Sequence, residues 1–246
     1  MNRNKNGVTP RRDFLAKAGL MVTGAVLSYP VRALAKEESV KKEKETEKGV
    51  EQVSPPEDLM REHGVLRRTL LIYEAIQGRV NSGKEFAPDL LGAAAGIIKK
   101  FIEDYHEKLE EDYLFPRFEK AGKLVDLVHV LRRQHQAGRS LTEFIKKSSA
   151  TPAERKELGK SLHLFIRMYR PHAAREDTIL FPALHDILSP NEFDALGEEF
   201  EDKEQALFGK EGFESVVGEV AKLEEKLGLY DLSQFTPRFD ATGKPE

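Results

Sequence analysis

A phrase of eleven residues occurs twice in this chain and constrains its fold more than any other sequence feature. One copy runs from His106 to Pro116 and the other from His172 to Pro182, and both read H-x-x-x-E-[ED]-x-x-L-F-P. Four residues advance an α-helix by about 400°, so the His and Glu of each copy lie one turn apart on the same helix face. Such a pair can hold one ion together, and two copies indicate an internal repeat of a helix pair.

The chain from Pro55 onward predicts an all-α protein. Apolar residues recur with helical spacing, short turns separate the segments, and no segment alternates as a β-strand would. We expect an up-down four-helix bundle over residues 55–188, C-terminal helices over 189–228 and a tail over 229–246. The expected bundle helices are 56–80, 87–119, 123–148 and 152–187, the last with Thr151 as its cap, and the later helices are 190–208 and 211–227.

Residues 1–35 read as an export signal. Arg11 and Arg12 precede an apolar stretch over 18–27, and the segment closes on a small-x-small cleavage pattern that ends at Ala35. The paired arginines followed by Phe-Leu resemble a twin-arginine signal, which implies export of an already folded protein. We expect cleavage after Ala35, a periplasmic location and no stable membrane span afterwards. Residues 36–54 are highly charged and predict a disordered linker.

Composition narrows the chemistry. The chain has no cysteine, which excludes thiolate zinc sites and iron–sulfur clusters, so a metal would bind to His, Asp, Glu or Tyr. The net charge of the whole chain is −3. The predicted signal is basic, so the rest of the chain carries a larger net negative charge. An acidic protein repels phosphate backbones, and nucleic acid is therefore not an expected partner.

Two further histidines fit the phase of the repeat, one in each of the other two bundle helices. His63 precedes the first copy and His135 precedes the second, which gives the pattern H…H-x3-E…H…H-x3-E. We predict that each of two metals takes two terminal imidazoles, and that two carboxylates bridge the metals because like-charged ions about 3.5–4 Å apart repel. The predicted metal-binding residues are His63, His106, Glu110, His135, His172 and Glu176.

Helix phase separates these six residues from the other histidines of the chain. His129, His163 and His185 lie off the faces of the predicted ligands and are expected at the surface or in packing. A ferritin-like site needs Glu-x-x-His on two helices, and the position three before His172 is Tyr169. Asp177 directly follows Glu176, so either carboxylate could bridge; the repeat favours Glu176.

With this set of residues, the sequence resembles the hemerythrin-like (HHE cation-binding) family over about residues 56–188. The resemblance implies a four-helix bundle with a non-haem di-iron centre, and the six predicted residues fall on ligand positions. Two features depart from the oxygen-carrying branch. Its fifth histidine is missing, since the candidate positions are Leu131 and Arg139, and its H-x4-D pattern competes here with H-x3-E. Imidazole and carboxylate ligands favour iron, with manganese and zinc behind.

Three functions follow as hypotheses. The first is an exported protein whose two iron ions bind or sense O2 or NO. The second is a di-iron redox enzyme, a peroxidase, catalase-like protein or ferroxidase acting on reactive oxygen species or iron; the missing histidine and the nearby Tyr105 and Tyr169 motivate it. The third, least favoured, is a structural protein with a vestigial site. A small molecule is the expected partner, and a homodimer is a further option.

Overall fold

The computed structural model describes residues 53–151, 154–209 and 212–245. The predicted export signal, its cleavage site and residues 36–52 of the predicted linker lie outside these described residues. Within them the protein is all-α, and the single β-type contact is an isolated bridge between Phe239 and Pro245. No helix in this described part is long and apolar enough to cross a membrane.

Four long helices form the bundle. Helix α1 is Pro55–Asn81 and α3 is Val125–Ser148. Helix α2 is a continuous series of α-helical and π-helical segments: Pro88–Ile97, Ile98–His106 (π), Glu107–Leu109, Glu110–Leu114 (π) and Phe115–Ala121. Helix α4 is Arg155–Arg175, extended by a π-helical turn Glu176–Leu180 and a 3-10 turn Pro182–Asp186. Two more helices follow, α5 (Pro190–Phe208) and α6 (Gly212–Leu227), and then a 3-10 turn Leu232–Phe235.

The helix ends follow from local sequence. The Ser54 side chain accepts a hydrogen bond from the Glu57 backbone N–H, which caps α1. Gly122 ends α2 in the left-handed region, at a φ of 64°. Ser189 and Glu192 form a capping box at the start of α5, as that segment predicts. The described part of α4 begins at Arg155, after Glu154 and with no side-chain cap there; the predicted start at residue 152 lies outside the described residues.

The hydrophobic core lies between the four bundle helices, each of which runs antiparallel to its neighbours. Helix α4 packs along both α1 and α3, and α2 completes the bundle against α1 and α3. Aromatic side chains interlock at these seams; the rings of Tyr73 and Phe165, for example, meet edge to face at 5.3 Å. The up-down four-helix bundle predicted from the sequence is thereby confirmed.

The two C-terminal helices cover one flank of the bundle. Helices α5 and α6 pack along α1 and α2, where Phe208 contacts both Phe101 and Tyr105. On the α1 side, the Arg68 guanidinium donates to the Glu224 carboxylate, at 3.0 Å from its Nε. The amphipathic faces of these helices are therefore buried against their own bundle.

One close approach between helices requires a glycine. A Cβ added at Gly138 of α3 would lie 2.0 Å from the phenolic oxygen of Tyr169 on α4. The Tyr169 ring is fully buried and cannot swing away, so we expect Gly138→Ala to lower the free energy of unfolding by about 1–3 kcal/mol. Gly92→Ala in α2 is the matched control, since nothing lies within 4 Å of a Cβ there, and it should stabilise by about 0.5–1 kcal/mol. Equal denaturant midpoints for the two variants would contradict this.

Candidate metal centre

The six residues predicted to bind metal meet at one point in the middle of the bundle. His63 comes from α1, His106 and Glu110 from α2, His135 from α3, and His172 and Glu176 from α4. None of the six is more than 3% exposed. A cluster of this polarity in an apolar core is costly unless something compensates its charges and lone pairs.

The imidazoles form two pairs. In the first subsite, made by His63 and His106, the two Nε2 atoms face each other at 3.0 Å. In the second subsite, made by His135 and His172, the ring centroids lie 5.1 Å apart. The pairing is the one that the sequence repeat predicts, with one pair in each half of the bundle.

Both glutamates reach from one pair to the other. Glu110 lies 3.8 Å from His106 Nε2 through Oε1 and 3.3 Å from His135 Nε2 through Oε2. Glu176 Oε2 lies 3.4 Å from His63 Nε2 and 3.0 Å from His172 Nε2. Donor atoms of Glu110, His135, His172 and Glu176 all lie within 4.8 Å of one another, as do those of His63, His106 and Glu110. The carboxylates are therefore placed to bridge two cations.

The L-F-P end of each repeat shapes the site. In both copies the phenylalanine N–H donates to the carbonyl of the repeat glutamate five residues back, Phe115 to Glu110 and Phe181 to Glu176. The proline that follows cannot donate an N–H and crowds the carbonyl four residues back, which favours this wider π turn. The Phe115 ring then stacks on His135 at 5.5 Å, and Phe181 stacks on His63 at 5.4 Å.

Each of the four imidazoles has an outer hydrogen-bond partner at Nδ1. The distances are 2.6 Å for His63, 2.8 Å for His106, 3.0 Å for His135 and 2.9 Å for His172. The partners, which we call the outer ring, are, in the same order, Asp177, Glu62, Glu111 and Gln134. Each partner lies on the helix before that of its histidine. Helix α1 therefore supplies the partner for α2, α2 for α3, α3 for α4, and α4 for α1. Such partners fix the tautomer and orientation of a metal-binding imidazole.

Asp177 is thereby placed outside the donor cluster. Its Oδ1 accepts from His63 Nδ1, and its other oxygen pairs with the Arg67 guanidinium at the surface. Glu176 instead points inward and is fully buried. The geometry gives the two adjacent acids different positions, one among the donors and one behind an imidazole.

The donor set fits metal cations. All four carboxylate oxygens of Glu110 and Glu176 are buried and accept no hydrogen bond from the described residues, nor does His135 Nε2. Because the Nδ1 atoms of His63 and His106 carry the protons shared with Asp177 and Glu62, their Nε2 lone pairs point at each other. The two facing lone pairs and the four oxygens without hydrogen bonds are unfavourable when buried. Binding a shared cation satisfies them.

The pKa shifts of these residues reflect the same unfavourable burial of carboxylates and imidazoles. Burial, followed by the neighbouring Glu176 carboxylate, raises the pKa of Glu110 well above its ordinary value. Burial also acts to raise the pKa of Glu176, but the imidazoles of His172 and His63 outweigh it and hold that pKa well below its ordinary value. Burial lowers the pKa of His135 to about 4, and burial with the nearby His63 lowers that of His106. Neutral imidazoles are the form that binds metal.

The remaining singled-out residues lie elsewhere. His129, His163 and His185 are exposed, as the phase argument predicts. Tyr105 packs against Phe208, with its hydroxyl 3.5 Å from Glu204. Tyr169 does adjoin the site: its ring meets His172 edge to face at 5.2 Å, and its hydroxyl donates to Glu107 at 2.6 Å.

Sequence reasoning missed the outer ring and the two stacked phenylalanines. A signal for the ring was present, because each member directly precedes or follows a donor in the chain, as in Glu62-His63 and Glu110-Glu111. Which donor each member would serve depends on the neighbouring helix, and the chain alone does not give that.

Comparison with known proteins agrees with this geometry. The Hemerythrin HHE cation binding domain family matches residues 54–184. An uncharacterized protein of Mycobacterium bovis is 50% identical over 190 residues, which cover 75% of this chain and 74% of the relative. Uncharacterized proteins of Mycobacterium tuberculosis strains CDC 1551 and H37Rv match to the same extent. No solved structure matches the chain significantly. With the donor cluster inside the matched residues, the chain belongs to the hemerythrin HHE cation-binding family.

Proposed function

We propose that the protein is an exported non-haem di-iron protein that binds or senses O2 or NO. The observation that carries the proposal is the placement of Glu110 and Glu176, each of which reaches an imidazole of both subsites. Two bridging carboxylates and four terminal imidazoles are a donor set for two cations rather than one.

The kind of donor supports iron, and four donors per subsite leave iron an open position. Each subsite offers two imidazoles and contacts to two carboxylates. Zinc is satisfied by four ligands, whereas non-haem iron binds imidazole and carboxylate and keeps positions for exogenous molecules. Bound iron supplies reversible one-electron chemistry and affinity for diatomic gases. The protein residues exclude bulk water, hold the four Nε2 atoms inward and fix their tautomers through the outer ring.

A mostly apolar surface groove beside the residue that holds His172 supports a small uncharged ligand. A groove of about 600 Å³ lies between α3 and α4, lined by Leu141, Leu164 and Met168 among others. Gln134 also lines the groove, and it is the residue that holds His172. A diatomic gas partitions into such surfaces more readily than an ion does.

A redox enzyme is the second candidate, and Tyr169 is the observation that favours it. A buried tyrosine that contacts a metal-binding imidazole and donates to a carboxylate is placed to exchange charge with the centre. The same contacts also serve packing, since Tyr169 stacks with Phe165 at 4.4 Å. Tyr169→Phe keeps the ring and removes only the hydroxyl, so it separates the two candidates.

The deciding experiment uses protein loaded with Fe2+ without oxygen and then exposed to NO, O2 or hydrogen peroxide. A gas-binding protein should give stable, reversible absorbance changes with NO or O2 that Tyr169→Phe leaves unchanged. Sustained consumption of peroxide, lowered by Tyr169→Phe, would replace the binding proposal with the enzyme. If none of the three reagents changes the spectrum, both candidates fail.

Export rests on the sequence of residues 1–35 and has its own test. We expect a reporter fused after residue 35 to reach the periplasm of a bacterium with a twin-arginine system. Arg11→Lys with Arg12→Lys removes the paired arginines but keeps both charges, and it should hold the reporter in the cytoplasm. Export that persists in this variant would point to a general secretory route.

A further inference from the structure

The two halves of the site are related by the same sequence pattern. Helices α1 and α3 read Glu62-His63-x3-Arg67 and Gln134-His135-x3-Arg139. Arg67 pairs with Asp177, and Arg139 pairs with Glu111, so the two acids that follow the bridging glutamates meet equivalent cations. The Nδ1 partners of the imidazoles are therefore alike in charge in the two halves, except at one position of the outer ring.

That position is occupied by Glu62 in one half and by Gln134 in the other. Glu62 Oε2 lies 2.8 Å from His106 Nδ1, and Gln134 Oε1 lies 2.9 Å from His172 Nδ1. Both imidazoles of the first subsite thus face a carboxylate, whereas the second subsite has one carboxylate and one neutral amide. A carboxylate partner raises the basicity of a metal-binding imidazole more than an amide does.

We propose that Glu62 and Gln134 make the two metal subsites unequal, so that the His63/His106 subsite fills first and the His135/His172 subsite holds the more readily exchanged cation. The inference rests on the proposed pair of metals and adds an order to it. Changes in outer partners commonly alter metal affinity by about 10–100-fold, which sets the expected separation between the two binding steps.

Two other features bear on the order. Glu107 adds a carboxylate near α3, but it contacts Arg139 and Tyr169 rather than an imidazole. Donor spacing acts the other way, because four donors of the second subsite lie within 4.8 Å of one another against three in the first. Small side-chain rotations can adjust spacing when a cation binds, while the difference between a carboxylate and an amide remains.

The test is a calorimetric titration of the metal-free protein with Co2+, with the optical spectrum recorded in parallel. The unmodified protein should bind two cations in steps about 10–100-fold apart. Gln134→Glu should tighten the second step, and Glu62→Gln should weaken the first, so either change brings the steps together. Gln134 is only partly buried and Glu62→Gln is nearly isosteric, so both variants should fold.

The double variant Glu62→Gln/Gln134→Glu is the decisive comparison, since it exchanges the two partners without changing the net charge. It should restore two separate steps with the order of filling reversed. Two equal steps in the unmodified protein, or a second step that Gln134→Glu leaves unchanged, would overturn the inference while leaving the pair of metals intact. Binding of fewer than two Co2+ would overturn the pair itself.

Discussion

Loading the protein with Fe2+ should raise its thermal unfolding midpoint by about 10–20 °C over the metal-free form. Each site filled at a hundred times its Kd adds about 2.7 kcal/mol, and 1 kcal/mol corresponds to about 2–4 °C in a domain of this size. The gain is expected because the donors are buried, while Glu110, Glu176 and His135 Nε2 lack hydrogen-bond partners among the described residues. Differential scanning calorimetry with and without a chelator measures it.

The control for that experiment is Mg2+ at the same concentration. Mg2+ prefers oxygen ligands and water to imidazole, so it should move the midpoint little. Equal midpoints for the Fe2+-loaded and chelated protein would mean that the buried donors are satisfied in some other way. The stabilisation claimed for the site would then be absent.

Glu110→Gln should change stability in opposite directions in the two forms. In the metal-free protein the raised pKa of Glu110 means that the folded state disfavours the charged carboxylate, which costs stability at pH values above the ordinary pKa of a glutamate. Glutamine removes that cost, so the metal-free variant should be more stable at pH 7 by about 1–3 kcal/mol. In the metal-loaded protein a bridging carboxylate is lost, so most of the metal-dependent gain should disappear.

The stabilising effect of Glu110→Gln on the metal-free protein also depends on pH. Below the ordinary pKa of a glutamate, about 4.3, Glu110 is protonated in both the folded and unfolded states. The benefit of Glu110→Gln in the metal-free protein should therefore fade as the pH falls toward 4. Glu143→Gln, which alters an exposed glutamate of α3, is the matched control and should leave both forms unchanged. Destabilisation of the metal-free protein at pH 7 by Glu110→Gln would contradict this account of the buried pair.

Much of the fold was readable from the sequence, because amphipathic periodicity and turn residues act locally. The convergence of the six predicted residues could be anticipated for the same reason, because His106 and Glu110 lie one turn apart on the same helix face. Other features depend on which helices become neighbours. The link from Gln134 to His172 and the stacking of Phe115 on His135 cross between helices, and helix spacing does not encode them.

Two further features could not be predicted from helical periodicity alone. The π turns after Glu110 and Glu176 depart from the regular 3.6-residue pitch, and the leucine, phenylalanine and proline that close them could equally mark a helix end. The docking of α5 and α6 on α1 and α2 was open for a related reason. An amphipathic face shows that a helix is buried on one side, but not what buries it.

The distinction between Glu176 and Asp177 shows what the three-dimensional arrangement adds. In the chain the two acids are adjacent, and both could reach a metal. In the fold Asp177 contacts His63 Nδ1 and Arg67, while Glu176 lies between His63 and His172. Adjacent residues on a helix point about 100° apart, so one faces the donors and the other faces the next helix.

The metal content of the purified protein tests the central claim most directly. After anaerobic loading with Fe2+ and removal of free metal, inductively coupled plasma mass spectrometry should find about two iron ions per chain. His106→Ala and His135→Ala, one from each subsite, should each reduce the content to one ion or fewer, while His129→Ala, an exposed histidine on the same helix as His135, should leave it at two. A content near zero in the unmodified protein, or two ions retained after His106→Ala, would contradict the account.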